Sequence, residues 1–219
     1  MSVTGEPDGQ PQKVGVAVTD IFSGLYASTA ILAAVQQRHT TGKGQHIDIA
    51  LFDVATAVMA NQGMNYLATG TAPKQLGNAH PNIVPYAVFD CADGYIIIAS
   101  GNDGQFERLC DVLGIGADPA YTTNALRLEN RDALTALLTS KTIAWTKSDL
   151  LAACEDAGVP AGPINDMSEV FADPQIVSRG MQIDLDGVPS MRLPVLFSDV
   201  ELGPHAPSPT LGQDQDLLD

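Results

Sequence analysis

The sequence predicts a mixed α/β chain in which helices carry most of the length and strands come in short pairs. Three observations lead there. Apolar residues recur at helical spacing over long stretches, beginning with Ile21, Phe22, Leu25, Leu32 and Val35. Two alternating runs flank Ala92-Asp93-Gly94, the pattern of a hairpin. The 219 residues are 45% hydrophobic and 17% charged, a globular balance with enough apolar surface for a core.

The elements follow in order. The first dozen residues are polar and rich in Gly and Pro, and residues 14–18 form a short apolar stretch. A helix is expected from Asp20, which stands at the N-cap, to the stop at Gly42-Lys43-Gly44; Arg38 and His39 suit its negative C-terminal end. Residues 46–52 alternate, with Ile47, Ile49 and Leu51 on one side, and read as a strand. Helical spacing returns over 53–67, and 69–85 is a Pro- and Gly-punctuated connector. The hairpin occupies 86–90 and 95–100, Gly101-Asn102-Asp103-Gly104 breaks its second strand, and helices are expected over 105–113, 127–140 and 146–157. An extended piece at 159–163, short helices at 167–171 and 174–178, and strands at 182–185 and 191–196 complete the pattern, before a Pro-, Ser- and Asp-rich tail after Gly203.

The charge excludes several functions. Lys and Arg number 11 against 26 Asp and Glu, a net charge of -15, the opposite of what a phosphate backbone or an anionic membrane surface attracts. No apolar run approaches the ~20 residues of a membrane span. The start lacks the basic region and apolar core of a signal peptide. Cys91, Cys110 and Cys154 have no CxxC spacing, so reduced, mostly buried thiols in a cytoplasmic protein are expected, with no metal site.

Two groups stand out chemically. Asp20 at a helix N-terminus is favoured in its ionised form by unpaired N–H groups and the macrodipole, and an ionised carboxylate is a competent acyl nucleophile; a plain cap is the simpler role for the same residue. Gly101-Asn102-Asp103-Gly104-Gln105 links a strand to a helix, and such a turn lets a ligand approach the backbone and offers N–H groups to an anion. The simpler role there is a turn capped by Asp103. Gly42-Lys43-Gly44 follows a helix instead of preceding one and reads as a C-cap. Among His39, His46, His80 and His205, only His80 lies in an unusual polar setting, Asn78-Ala79-His80-Pro81-Asn82, and a loop hydrogen-bonding role is expected for it.

Longer stretches add a resemblance. Val16-Ala17-Val18-Thr19-Asp20-Ile21-Phe22-Ser23-Gly24-Leu25-Tyr26-Ala27 and Arg38-His39-Thr40-Thr41-Gly42-Lys43-Gly44-Gln45-His46-Ile47-Asp48 closely resemble the class III (CaiB–BaiF, formyl-CoA transferase-like) CoA-transferases. So do His80-Pro81-Asn82-Ile83-Val84-Pro85-Tyr86, Gly101-Asn102-Asp103-Gly104-Gln105-Phe106 and Gly158-Val159-Pro160-Ala161-Gly162-Pro163-Ile164-Asn165, in the same order. The resemblance implies that Asp20 is the catalytic nucleophile, forming a covalent aspartyl intermediate. It also implies that Gly101, Asn102, Gly104 and Gln105 belong to a substrate-binding glycine loop whose free N–H groups steady developing oxyanions.

For the fold, the resemblance implies part of a Rossmann-like α/β large domain plus a smaller α+β domain. Residues 1–70 carry the catalytic aspartate, 75–165 form the small domain and 166–219 return towards the large one. The family's N-terminal segment, with most CoA contacts, and its final helix have no counterpart here, so Met1 is expected to be an internal methionine. No tightly bound cofactor is implied; coenzyme A thioester is a substrate, exchanged between carboxylic acids, and the complete protein is expected to be an interlocked homodimer. A 2-methylacyl-CoA racemase of the same family and a non-catalytic remnant or interaction module stay open beside the transferase.

Overall fold

The hydrophobic core is drawn from a contiguous stretch, Val84 to Val159, in a computed structural model that describes residues 1–200, 202–204 and 206–215. The chain parts into two units, Met1–Pro163 and Ile164–Asp219.

Within the first unit, α1 (Val18–Thr41) is a 24-residue helix with no buried residue. Its first turn begins two residues before the expected start. Ala17 takes the N-cap position with no side-chain hydrogen bond, so Asp20 lies inside the first turn and is not the cap. The C-terminal end is as expected: Gly42, at φ +71°, closes the helix by donating its N–H to Arg38 O at 2.8 Å. Ala, Gly, Ser and Thr between the larger apolar residues keep the whole helix apolar without an unbroken run. By length and composition α1 is therefore long and apolar enough to cross a membrane, and the expectation that nothing in the chain reaches that size does not hold.

Residues 46–50 are extended but pair with nothing, and 51 onward is helical, so the strand expected at 46–52 is absent. The reason is general: alternation specifies two faces, but a strand exists only when a neighbour completes its ladder. The helix expected over 53–67 divides into α2 (Leu51–Ala57) and α3 (Ala60–Thr69), with the break marked by the positive φ of Ala60. Val54 is the one buried residue before Val84.

The core unit follows. β1 (Tyr86–Cys91) and β2 (Gly94–Ala99) form the expected antiparallel hairpin, in register from Tyr86 opposite Ala99 to Cys91 opposite Gly94. The central strand β2 also pairs with β3 (Ala161–Pro163), giving the order β1-β2-β3. Ile96 and Ile98 on β2 and Phe89 on β1 point into the core. The helices that cover this face are α4 (Asp103–Leu113), α5 (Asn124–Glu129), α6 (Arg131–Thr142) and α7 (Lys147–Asp156), and their Leu109, Leu134, Leu138 and Leu150 are wholly buried. The single helix expected at 127–140 is thus two. Thr146 caps α7 by accepting the Asp149 N–H, and the hairpin turn is tied to the same helix end, where Asp93 Oδ1 accepts the Lys147 N–H at 2.7 Å.

The second unit contains α8 (Met167–Ala172), opened by a capping box between Asp166 and Glu169, and α9 (Pro174–Ser178), capped by Asp173. Its hairpin joins β4 (Gln182–Leu185) to β5 (Val188–Met191), whereas the second strand was expected at 191–196. Asp186 and Gly187, at φ 53° and 85°, make the two-residue turn whose twist suits a hairpin, and this fixes Leu185 opposite Val188.

Candidate functional site

Asp20 occupies the third helical position of α1, fully in solvent, and its carboxylate accepts no hydrogen bond from the described residues. The neighbouring Ser23 hydroxyl is turned back onto Thr19 O at 2.8 Å and leaves the carboxylate alone. The macrodipole of α1 favours the ionised form at this position. Asp20 is therefore an uncommitted anion on the first turn of a long helix.

The glycine turn is built differently from the sequence expectation. Asn102, not Asp103, caps α4: its Oδ1 accepts the Gln105 N–H at 2.9 Å. Gln105 answers by accepting the Gly101 N–H on its Oε1 at 2.7 Å. This resembles a capping box in which the returning side chain reaches one residue further back. Gly101 N–H is consequently occupied, which corrects the expectation that it is free. The Asn102, Asp103 and Gly104 N–H groups have no acceptor among the described residues. Since the Asn102 and Gln105 side chains are spent within the turn, what the loop presents outward is backbone. Ser100, just before it, is wholly buried with an unpartnered Oγ, while its N–H donates to Pro85 O at 2.9 Å.

Asp103 has another role, and the residue it meets was missed in the sequence. Arg127 is 0% exposed and its guanidinium lies over the Phe106 ring, 4.5 Å from the centroid. Its Nε donates to Val84 O at 2.6 Å, Nη1 to Tyr121 O at 2.9 Å and Nη2 to Asp103 Oδ1 at 2.7 Å. The last is the only ion pair among the described residues. The signal available in the sequence was a lone Arg between Leu126 and Leu128 on a short helix.

The same contacts unite two motifs that the sequence gave separately, residues 80–86 and 101–106. Val84 O and Pro85 O, from the first, are held by Arg127 and Ser100 beside the second. Asn124 clamps the first motif further, accepting the Val84 N–H and donating to Asn82 O. Asn82 also exchanges amide hydrogen bonds with Asn65 of α3. No hydrogen bond or ion pair among the described residues links Asp20 to this assembly.

Comparison with known proteins decides the family. The family model described as CoA-transferase family III matches residues 1–215.

The chain belongs to CoA-transferase family III.

It is 52% identical to a succinate–glutarate CoA-transferase of Agrobacterium fabrum (strain C58 / ATCC 33970), over 98% of this chain and 56% of that protein. It is 38% identical to the human succinyl-CoA:glutarate CoA-transferase, over 97% of this chain and 50% of that protein. The crystal structure of a CaiB/BaiF family protein from Brucella suis superimposes with a TM-score of 0.81 at 55% identity, covering all of this chain (100%) and 58% of that one. The family III chain thus spans about half the length of the curated relatives it matches. The mixed helix-and-strand fold expected from the sequence is that of the CaiB/BaiF structures.

The remaining titratable groups have structural explanations. His80 Nδ1 accepts the Asn82 N–H and its ring stacks on Tyr86 at 5.1 Å, the loop role expected for it; burial, and then the Arg131 guanidinium, lower its pKa. His205 lies outside the described residues. All three cysteines are free thiols, with Cys91 and Cys154 buried and Cys110 half-buried. Among the described residues, no three His, Cys, Asp or Glu side chains cluster in a way that would hold a metal ion.

Proposed function

We propose that this chain carries the nucleophile and the glycine loop of an acyl-CoA:carboxylate CoA-transferase, with short dicarboxylates such as succinate and glutarate as the acids exchanged. The carrying observation is the family membership combined with an Asp20 carboxylate that no protein group occupies. The dicarboxylate class rests on the printed activities of the relatives.

In this reading the Asp20 carboxylate attacks the acyl-CoA carbonyl, and the CoA thiolate leaves to give an aspartyl–acyl mixed anhydride. The thiolate then attacks the Asp20 carbonyl carbon, releasing the first acid as its carboxylate and leaving an aspartyl-CoA thioester. The second carboxylate attacks that thioester, re-forming an anhydride and freeing the thiolate. Attack of the thiolate on the new acyl carbonyl gives the product thioester and regenerates Asp20. Each step exchanges one acyl–oxygen or acyl–sulfur bond for another, so no net proton or electron is required. The Asn102, Asp103 and Gly104 N–H groups are the donors available to tetrahedral oxyanions along this course. Coenzyme A is a substrate here, with no tightly bound cofactor, and we place the complete protein in the cytoplasm as an interlocked homodimer.

The test is covalent trapping. Protein incubated with succinyl-CoA and digested should yield the Asp20 peptide carrying a hydroxylamine-sensitive acyl or CoA adduct, and Asp20→Asn should lose both adduct and transfer. Full transfer by Asp20→Asn would remove the assignment. Exchange of the acyl α-proton in the absence of any acceptor acid would favour the racemase instead, and failure to bind CoA at all would favour a non-catalytic module.

A further inference from the structure

The glycine turn contributes little to its own placement. Its internal bonds, Gly101 to Gln105 and Gln105 to Asn102, set its shape but attach it to nothing else. What fixes it against the rest of the unit is Arg127. A planar guanidinium with three nitrogens engaged sets the bearings of three segments at once: the chain before β1 through Val84, the single helical turn at Pro119–Tyr121 through Tyr121, and the first residue of α4 through Asp103. The cation has no access to solvent, and Asp103 is its only anionic partner among the described residues, itself 52% exposed. Removing that carboxylate leaves a desolvated charge unpaired, so the guanidinium holds Asp103, and with it the loop, far more firmly than a surface pair would.

We infer that Arg127 is a positioning residue for the transfer site: through Asp103 it holds the Asn102, Asp103 and Gly104 N–H groups at the bearing the reacting acyl group requires. This rests on the proposed transferase reading.

The test uses the protein as its gene encodes it, with Asp103→Asn, Arg127→Lys and, as a control for loss of stability alone, Leu138→Ala. Amide hydrogen exchange is followed at Ser100, Gly101, Gln105 and Phe106, whose N–H groups are all bonded in the native turn. Asp103→Asn and Arg127→Lys should raise exchange there by about tenfold or more, leaving β2 and α7 within about twofold, whereas Leu138→Ala should not single out the turn. In succinyl-CoA to glutarate transfer, both variants should lower kcat about tenfold or more with KM for succinyl-CoA changed less than about threefold, the mark of donors that act in the transition state. Asp103→Glu, which keeps the carboxylate, should recover part of kcat.

Unchanged exchange at the turn, or a rise spread evenly over the unit, overturns the inference, as does a kcat loss matched by Leu138→Ala. If Asp103→Asn does not fold, Arg127→Lys, which keeps the buried charge, decides the question alone. Absence of transfer by the unaltered protein overturns the functional reading, and the exchange result then separately shows whether Arg127 fixes the loop.

Discussion

Gly101 and Gln105 are joined across the turn that opens α4: the Gly101 N–H donates to Gln105 Oε1 at 2.7 Å, and the Gln105 N–H in turn donates to the Asn102 side chain. The turn thereby satisfies two donors that would otherwise face solvent at a helix N-terminus. Asn102→Ala should therefore lower stability by about 1 kcal/mol, and Asn102→Gly by only a few tenths, read from urea midpoints.

Asp20 should behave oppositely, mattering to chemistry and little to stability. It is exposed, makes no cap bond and interacts with α1 only through the dipole. Asp20→Asn should cost between about 0.3 and 1 kcal/mol by chemical denaturation, so loss of transfer in that variant would not be a folding effect.

The thiols should show graded reactivity and an alkaline limit. Burial, with a smaller contribution from Cys91, pushes the Cys154 thiol from 9.0 up to about 11. In the unfolded chain the same thiol ionises near its ordinary value, so the unfolded state binds fewer protons than the folded one between these two values. Stability present below pH 9.0 is then lost as pH rises towards 11. Urea midpoints measured at intervals from neutral pH to beyond that window should fall with pH, and Cys154→Ala should flatten the fall. At neutral pH, the half-buried Cys110 should be alkylated before Cys91 and Cys154, as mapped by peptide mass spectrometry.

Two leucines separate the packed from the unpacked part of the first unit. Leu138 is 0% exposed inside the cluster, and Leu138→Ala should cost about 2–5 kcal/mol. Leu32 on α1 is 70% exposed, and Leu32→Ala should change stability by less than about 0.5 kcal/mol. Thermal melts of both variants check the contrast.

Much of this architecture was legible in the residues because it is local. The hairpin announced itself through alternation around Ala92-Asp93, α1 through Ile21 to Val35 and its Gly42 stop, and α7 through Thr146 and the apolar spacing after it. The errors fall where a feature depends on a distant partner. The alternation at 46–52 predicted a strand that has nothing to pair with. Asp103 looked like a cap because the eye weighs near neighbours, while its actual partner is Arg127, twenty-four residues on. The shifted β5 was a different failure: the Asp186-Gly187 turn signal was present and passed over. As for the candidate site, its motifs were visible singly, but their union through Val84, Pro85, Ser100 and Arg127 is a property of the fold.

The confinement of the packed cluster to Val84–Val159 has an evolutionary consequence. β1 and β3 flank the same central strand, so the chain enters and leaves the sheet on lanes roughly 10 Å apart in the pairing direction. A stretch with its own nucleus and two neighbouring ends can be spliced into a host polypeptide, or lifted out of one, as a cassette. Its interior can then diverge under selection for packing, while the turns at its margin diverge under selection for the ligand.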